Sequence, residues 1–271
     1  ASIATPAAND GTPARPTANP PARAPISDRF ASALSANEPV YVGFGSREGR
    51  TARFQISFKY RFFNEAGDLA QDFPVLKNLY FGYTQNSLWD IESDSAPFRD
   101  STYRPSLFYL DDRLWTSAAR DVRLGLQTGF EHESNGRDGT SSRSLNTAFV
   151  RPIVNWGDTG GWHLTLAPKI YVYLERSENA DIARYRGYAD LFAAAGHPDG
   201  WQFAATLRRG TGNDFGSTLL ETTYPLRSVS LGNLDGYFYL QYFNGYGESI
   251  LDYNRRLPSQ LRVGFSITRW P

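Results

Sequence analysis

From about residue 40 onward the chain alternates with period two. Phe54, Ile56, Phe58, Tyr60 and Phe62 interleave with Arg53, Gln55, Ser57, Lys59 and Arg61. Trp201, Phe203, Ala205 and Leu207 interleave in the same way with Gln202, Ala204, Thr206 and Arg208, and Leu261, Val263, Phe265 and Ile267 with Arg262, Gly264, Ser266 and Thr268. In a strand these two sets leave opposite faces. Charged residues on the enclosed face and aromatics on the outer one invert the soluble pattern and fit a closed barrel surrounded by lipid. Segments of this kind, separated by turn signals, lie near residues 40–44, 53–62, 77–89, 103–111, 122–134 and 144–156, and then near 161–174, 185–196, 201–210, 215–225, 235–246 and 260–270. An edge strand of a soluble sandwich explains any one of them, but not the succession. The prediction is all-β: a transmembrane antiparallel β-barrel of about 12 strands, an even number as single-chain bacterial barrels require. Trp270, near the end, has the parity of the enclosed row rather than the outer one.

Ahead of the alternation, residues 1–36 are rich in Ala and Pro and carry no apolar period, which predicts a flexible lead before a barrel of residues 37–271. No run approaches the ~20 apolar residues of a spanning helix. Cysteine is absent, so stability must come from hydrogen-bonded closure and burial. The formal charge of zero argues against a nucleic-acid partner. Twenty-five of the 28 basic residues are arginine, which suits phosphate-bearing outer-membrane lipid, though codon bias accounts for it equally well. Methionine is also absent, which points to a secreted chain whose signal peptide has been cleaved. With an aromatic content of 15%, high enough for interfacial girdles, these features predict the outer membrane of a Gram-negative bacterium.

The segment with candidate chemistry runs from Val122 to Asn146. Its outer row reads Val122, Leu124, Leu126, Thr128, Phe130, His132 and Ser134, so an apolar stripe ends in His-x-Ser. Side chains two apart on a strand leave the same face about 6–7 Å apart at the backbone, close enough for a base and a nucleophile. Asn146 shares its row with Ala148, Val150, Pro152, Val154 and Trp156, and the loop Asn135–Ser144 could return it beside His132. A neutral amide can orient a histidine but cannot balance the charge of an imidazolium. A cation near the developing oxyanion could meet that deficit, and the loop's serine hydroxyls and carbonyls suit calcium. A lone His-x-Ser is more often a surface feature, but polar groups on a lipid-facing row are costly without a purpose.

HESNGR followed by SSRSLN resembles the signature of the bacterial outer-membrane phospholipase A family, and YTQNSLW at 83–89, SAPFRDSTYRP at 95–105 and YGESILDYN at 246–254 are similar to further segments of that family. The resemblance implies a calcium-dependent phospholipase hydrolysing sn-1 and sn-2 acyl esters of phospholipids and lysophospholipids, active as a homodimer. It makes Ser134 the nucleophile, His132 the base and Asn146 its orienting partner, with the Gly136 amide in the oxyanion hole. Catalytic Ca2+ would be held by the Ser142 hydroxyl and the Arg137 carbonyl of one subunit and by Ser95 of the other. Gln85 would sit at the dimer contact. Two departures stand out: the stretch from Trp89 to Ser95 is two residues shorter than expected, and Gly139 replaces an aspartate, which puts a secondary calcium site in doubt.

The other histidines fit chemistry less well, since His163 follows Trp162 at a strand start and His197 lies in the turn Gly196-His-Pro-Asp-Gly. Glu131 and Glu133 have the parity of the lumen, and Tyr83, Trp89 and Tyr103 suit either an acyl groove or a girdle. Two rival readings remain: a non-enzymatic barrel, channel or structural protein, and a barrel of the same fold that deacylates another lipid.

Overall fold

The computed structural model describes residues 26–46, 50–95, 97–158, 160–228 and 234–270. The chain divides after Ser32. In the first unit the described residues belong to helix α1, Ile26–Ala33; residues 1–25 of the lead lie outside the described residues.

The second unit, Ala33–Pro271, is an antiparallel sheet of fourteen strands: β1 Leu34–Ser35, β2 Tyr41–Ser46, β3 Arg50–Arg61, β4 Leu79–Asp90, β5 Phe98–Thr116, β6 Val122–Ser134, β7 Ser144–Gly157, β8 His163–Leu166, β9 Lys169–Glu175, β10 Ala189–Gly196, β11 Gln202–Arg209, β12 Gly216–Pro225, β13 Tyr237–Gly245 and β14 Leu257–Ser266. From β2 onward each strand pairs with the next in sequence, except that β8 passes β9 to pair with β10, and β14 pairs back with β2, so the sheet closes. β1 and β2 lie along the same β3 neighbour as two segments of one stave, and β8 and β9 form another between β7 and β10. The barrel therefore has twelve staves.

The interruptions have local causes. Pro168 separates β8 from β9 and supplies no N–H to the ladder. The β1–β2 gap contains Pro39, whose carbonyl is held by Gln55 Nε2 at 2.8 Å. Pairing starts at Leu34 and Ser35, opposite Tyr60 and Lys59, earlier than residue 37. The segment expected from residue 185 begins as strand only at Ala189, because Ile182–Arg186 form a short helix, α2.

The two predicted rows separate cleanly. Leu261, Val263, Ile267, Phe203, Leu207, Ile56 and Phe130 are exposed around the outside, while Arg53, Gln55, Gln241 and Arg262 are buried inside. An apolar belt of this extent is what a hydrocarbon layer covers. The lumen's charges are paired: Arg208 with Asp190 at 2.8 Å, Lys169 with Glu131 at 2.8 Å, Arg186 with Glu133 at 3.0 Å, and both Arg53 and Arg262 with Glu248 at 3.1 and 2.5 Å. A buried charge without its partner costs several kcal/mol, so this pairing is what lets the interior be polar. Around these pairs remains a cavity of about 550 Å³. Trp270 accounts for its own parity. It lies beyond β14, lines the lumen, donates through Nε1 to Glu221 at 3.0 Å and packs on Phe192.

Candidate functional site

β6 and β7 pair without interruption from Val122 opposite Trp156 to Ser134 opposite Ser144. This register makes His132 and Asn146 direct partners, and residues so paired share a face with Cβ atoms ~4.5–5.5 Å apart. His132 Nδ1 lies 2.8 Å from Asn146 Oδ1. An amide oxygen only accepts, so this contact assigns the proton to Nδ1 and leaves Nε2 available as a base. Ser134 ends the same row, half-buried, opposite Ser144 on β7 and Tyr103 on β5. Among the described residues Ser134 Oγ makes no hydrogen bond. The fold sets it two residues from His132 on one row without closing that contact.

The loop beyond Ser134 is built around Asn135, which is buried. Its amide nitrogen donates to the Ser141 carbonyl at 2.9 Å, its Oδ1 accepts from the Arg143 N–H at 3.0 Å, and its own N–H donates to the Arg143 carbonyl at 3.1 Å. One side chain thus closes the neck of the loop. Next comes Gly136 at φ +64°, where any Cβ would come within 3.3 Å of the Tyr103 ring. A glycine keeps that backbone amide accessible in the left-handed conformation. The Arg137 side chain reaches away from the loop to the Arg99 carbonyl and lies 3.9 Å from Asp100, tying the loop to the start of β5.

An open depression is lined by Gly136, Arg137, Asp138 and Ser141. At its margin the Ser142 hydroxyl donates to Glu178 Oε1 at 2.9 Å. Hydroxyl, carbonyl and carboxylate oxygens are the donor set that calcium takes. No cluster of three or more His, Cys, Asp or Glu side chains able to hold a metal occurs among the described residues, so a metal here would rest largely on neutral oxygens, with Asp138 and Glu178 as the carboxylates at hand. Ser95 is exposed in the β4–β5 loop and shares no hydrogen bond with Ser142 or Arg137 among the described residues. Gly139, also at positive φ, has open space around its Cβ position.

Gln85 lies on the outer face of β4, opposite Ile56 on β3 and Tyr103 on β5. Tyr103 in turn faces Ser134, so Gln85 is two strands from Ser134, roughly 10 Å by strand spacing. It accepts from the Tyr83 hydroxyl at 3.0 Å and donates to Ser87 Oγ at 3.2 Å, and Ser87 lies 2.8 Å from Ser101 Oγ. A polar ladder thus crosses an otherwise apolar exterior. Glu131 and Glu133 face inward, as their parity predicts, each on its lumen partner. His163 and His197 are engaged locally, with the Gly161 carbonyl and the Asp199 N–H.

Asn135 and Glu178 were not singled out in the sequence. Asn135 carried a signal, the Asn-Gly dipeptide of a turn and the parity of the lumen. Glu178 carried none, because its approach to Ser142 spans 36 residues.

Fold and site together define a transmembrane β-barrel with a histidine–asparagine pair and a serine on its lipid-facing surface. A family model described as Phospholipase A1 matches residues 28–268. The chain belongs to that family. It is 32% identical over 231 residues to a putative phospholipase A1 of Neisseria meningitidis serogroup B, covering 80% of this chain and 54% of that protein. Phospholipase A1 of Escherichia coli K12 is 33% identical over 191 residues, 68% of this chain and 60% of that one. The chain thus spans little more than half the length of these relatives. The crystal structure of the Salmonella typhi outer membrane phospholipase dimer with bound calcium matches with a TM-score of 0.70 at 23% identity, covering 87% of this chain and 92% of that one. Outer membrane phospholipase A from Escherichia coli gives a TM-score of 0.70 at 24% identity over the same shares. Both share the barrel fold.

Proposed function

We propose that the protein is a calcium-dependent phospholipase A of the Gram-negative outer membrane, active as a homodimer on sn-1 and sn-2 esters of phospholipids and lysophospholipids. The observation that carries this reading is the 2.8 Å contact between His132 Nδ1 and Asn146 Oδ1 beside Ser134, on the face where acyl chains would lie. Membership of the phospholipase A1 family supports it, as do relatives described as outer membrane phospholipases, one of them a calcium-bound dimer.

In this reading Ser134 Oγ attacks the ester carbonyl and passes its proton to His132 Nε2. Asn146 holds the ring so that Nε2 faces the serine. The Gly136 N–H donates to the oxygen that gains negative charge. The tetrahedral intermediate collapses, and His132 returns its proton to the departing lysophospholipid oxygen. Water, deprotonated by the same nitrogen, then releases the fatty acid from Ser134. The Ser142 hydroxyl and the Arg137 carbonyl, with Ser95 of a second subunit, would hold calcium, and Glu178 adjoins that set. Calcium bound there would supply positive charge beside the oxyanion, lowering a barrier to which a neutral asparagine contributes no charge of its own.

The test is fatty-acid release from mixed phospholipid micelles, with calcium or with excess chelator. We expect release only with calcium, and a loss of about a thousandfold or more in Ser134→Ala. Release unaffected by that substitution would sink the assignment.

A further inference from the structure

The ladder that brings His132 to Asn146 continues by one strand. β9 pairs with the far side of β7 as Ile170 opposite Val150, Val172 opposite Ala148 and Tyr173 opposite Thr147, and then the register slips: Asn146 faces Glu175 rather than Leu174. Leu174 is the extra residue of a β-bulge, exposed on the outside in line with Val172 and Ile170. Without the bulge the alternation would send Glu175 into the lumen. With it, Glu175 pairs with an outward residue and shares the outer face. Bulges re-aim side chains in this way, and this one falls beside the candidate site.

The atoms left over on each side match. Asn146 Oδ1 is taken by His132, and Asn146 Nδ2 makes no hydrogen bond among the described residues. Glu175 Oε1 is held by the N–H and hydroxyl of Ser177, at 2.6 and 2.5 Å, and Oε2 makes no hydrogen bond among the described residues. Direct ladder partners have Cβ atoms ~4.5–5.5 Å apart, within reach of an amide and a carboxylate. The carboxylate also interacts electrostatically with the His132 ring.

We propose that Glu175 is a positioning residue that completes a His132–Asn146–Glu175 relay across β6, β7 and β9. By accepting from Asn146 Nδ2 it forces the amide to present Oδ1, and not NH2, to His132. Its charge then stabilises the imidazolium formed when His132 takes the Ser134 proton, which a neutral asparagine cannot do alone. This rests on the reading of His132 as the general base.

Other charged or titratable groups on the elements around His132 are Tyr103 on β5 and, in the loops beyond the strand ends, Arg137, Asp138, Arg143, Arg176, Glu178 and Asp181. The outer row of β7, Ser144, Asn146 and Ala148, offers none. Glu175 is therefore the carboxylate whose removal isolates the effect.

The experiment measures two things on the isosteric Glu175→Gln and on Glu175→Asp, with the full-length protein in detergent and calcium. The first is the pH dependence of phospholipid hydrolysis. A nearby negative charge raises a histidine's pKa, so Glu175→Gln should move the acidic limb of kcat/KM to lower pH. It should also reduce kcat by about threefold to fivefold with KM unchanged, as an exposed charge warrants. Glu175→Asp should restore most of both. The second is the titration of His132 by NMR, one of three histidines and assignable by His132→Gln. The imidazole pKa should fall in Glu175→Gln and recover in Glu175→Asp. An unshifted His132 titration in folded Glu175→Gln overturns the proposal, even if the hydrolase reading stands. If the wild-type protein releases no fatty acid, the hydrolase reading fails, and the titration still decides whether the relay exists.

Discussion

Asn135 accepts the Arg143 N–H at 3.0 Å and returns its own N–H to the Arg143 carbonyl at 3.1 Å, so one residue pair sets the width of the loop that carries Gly136, Arg137 and Ser142. Replacing Asn135 by Ala strands the Arg143 N–H and the Ser141 carbonyl in a half-buried setting, at about 1 kcal/mol for each unsatisfied group, the low end of the buried range. We predict that Asn135→Ala leaves the barrel folded but loosens the loop, so that phospholipid hydrolysis falls at least tenfold and the loop becomes sensitive to limited proteolysis. Wild-type activity with an equally resistant loop would contradict this.

Glu178 is the acidic side chain that touches the calcium candidate's Ser142 hydroxyl. Affinity at oxygen sites follows the number of charged ligands. In Glu178→Gln, half-maximal hydrolysis should require about tenfold more calcium, with the rate at saturating calcium close to wild type. A calcium titration of fatty-acid release reads both. An unchanged midpoint would confine Glu178 to orienting Ser142.

Gln85 holds the middle of the polar ladder on the exterior, between Tyr83 and Ser87. Side-chain hydrogen bonds between subunits inside a membrane are worth about 1 kcal/mol, equivalent to about fivefold in a dissociation constant. We predict that Gln85→Ala weakens the proposed homodimer by that factor, measured by sedimentation in detergent, while the barrel stays folded.

These predictions rest on features of unequal legibility. The staves could be read from Phe54, Ile56 and Phe58 against Arg53, Gln55 and Ser57, since a lipid exterior and a polar lumen impose the period directly on composition. His132, Ser134 and Asn146 stood out because they break an apolar row, and the structure makes the first and last of them partners. Glu175 was hidden for the opposite reason. Its alternation with Tyr173 and Tyr171 assigns it to the lumen, and only the one-residue slip at Leu174 turns it outward. A bulge leaves no mark in a two-period pattern. Trp270 showed its wrong parity, but the cause, Glu221 in the lumen, lies 49 residues away. Likewise the helix α2 interrupts an expected strand because its Ile182 packs into a buried cluster with Leu145, Ile250 and Tyr253, a tertiary contact overriding local pattern.

Glu248 belongs to none of the strands, yet it serves two of them. Its Oε1 accepts from Arg53 on β3 at 3.1 Å and from Arg262 on β14 at 2.5 Å, with side-chain exposure of 1% for the glutamate and 3% for Arg262. β3 and β14 are separated by β2, the stave through which first and last parts of the barrel meet. A loop residue therefore pins the closure from inside. Glu248→Gln keeps the shape but leaves two buried guanidinium groups without a counter-charge, and breaking a buried pair from one side costs about 3–5 kcal/mol. Replacing all three residues together, as Glu248→Gln with Arg53→Gln and Arg262→Gln, removes the uncompensated charge. We predict that the single variant unfolds at markedly lower denaturant than wild type, and that the triple variant recovers part of the loss. The gel shift between folded and heat-unfolded barrel, followed across a denaturant series, measures this. If the single and triple variants lose the same stability, the cost comes from lost hydrogen bonds and packing, and not from unpaired charge.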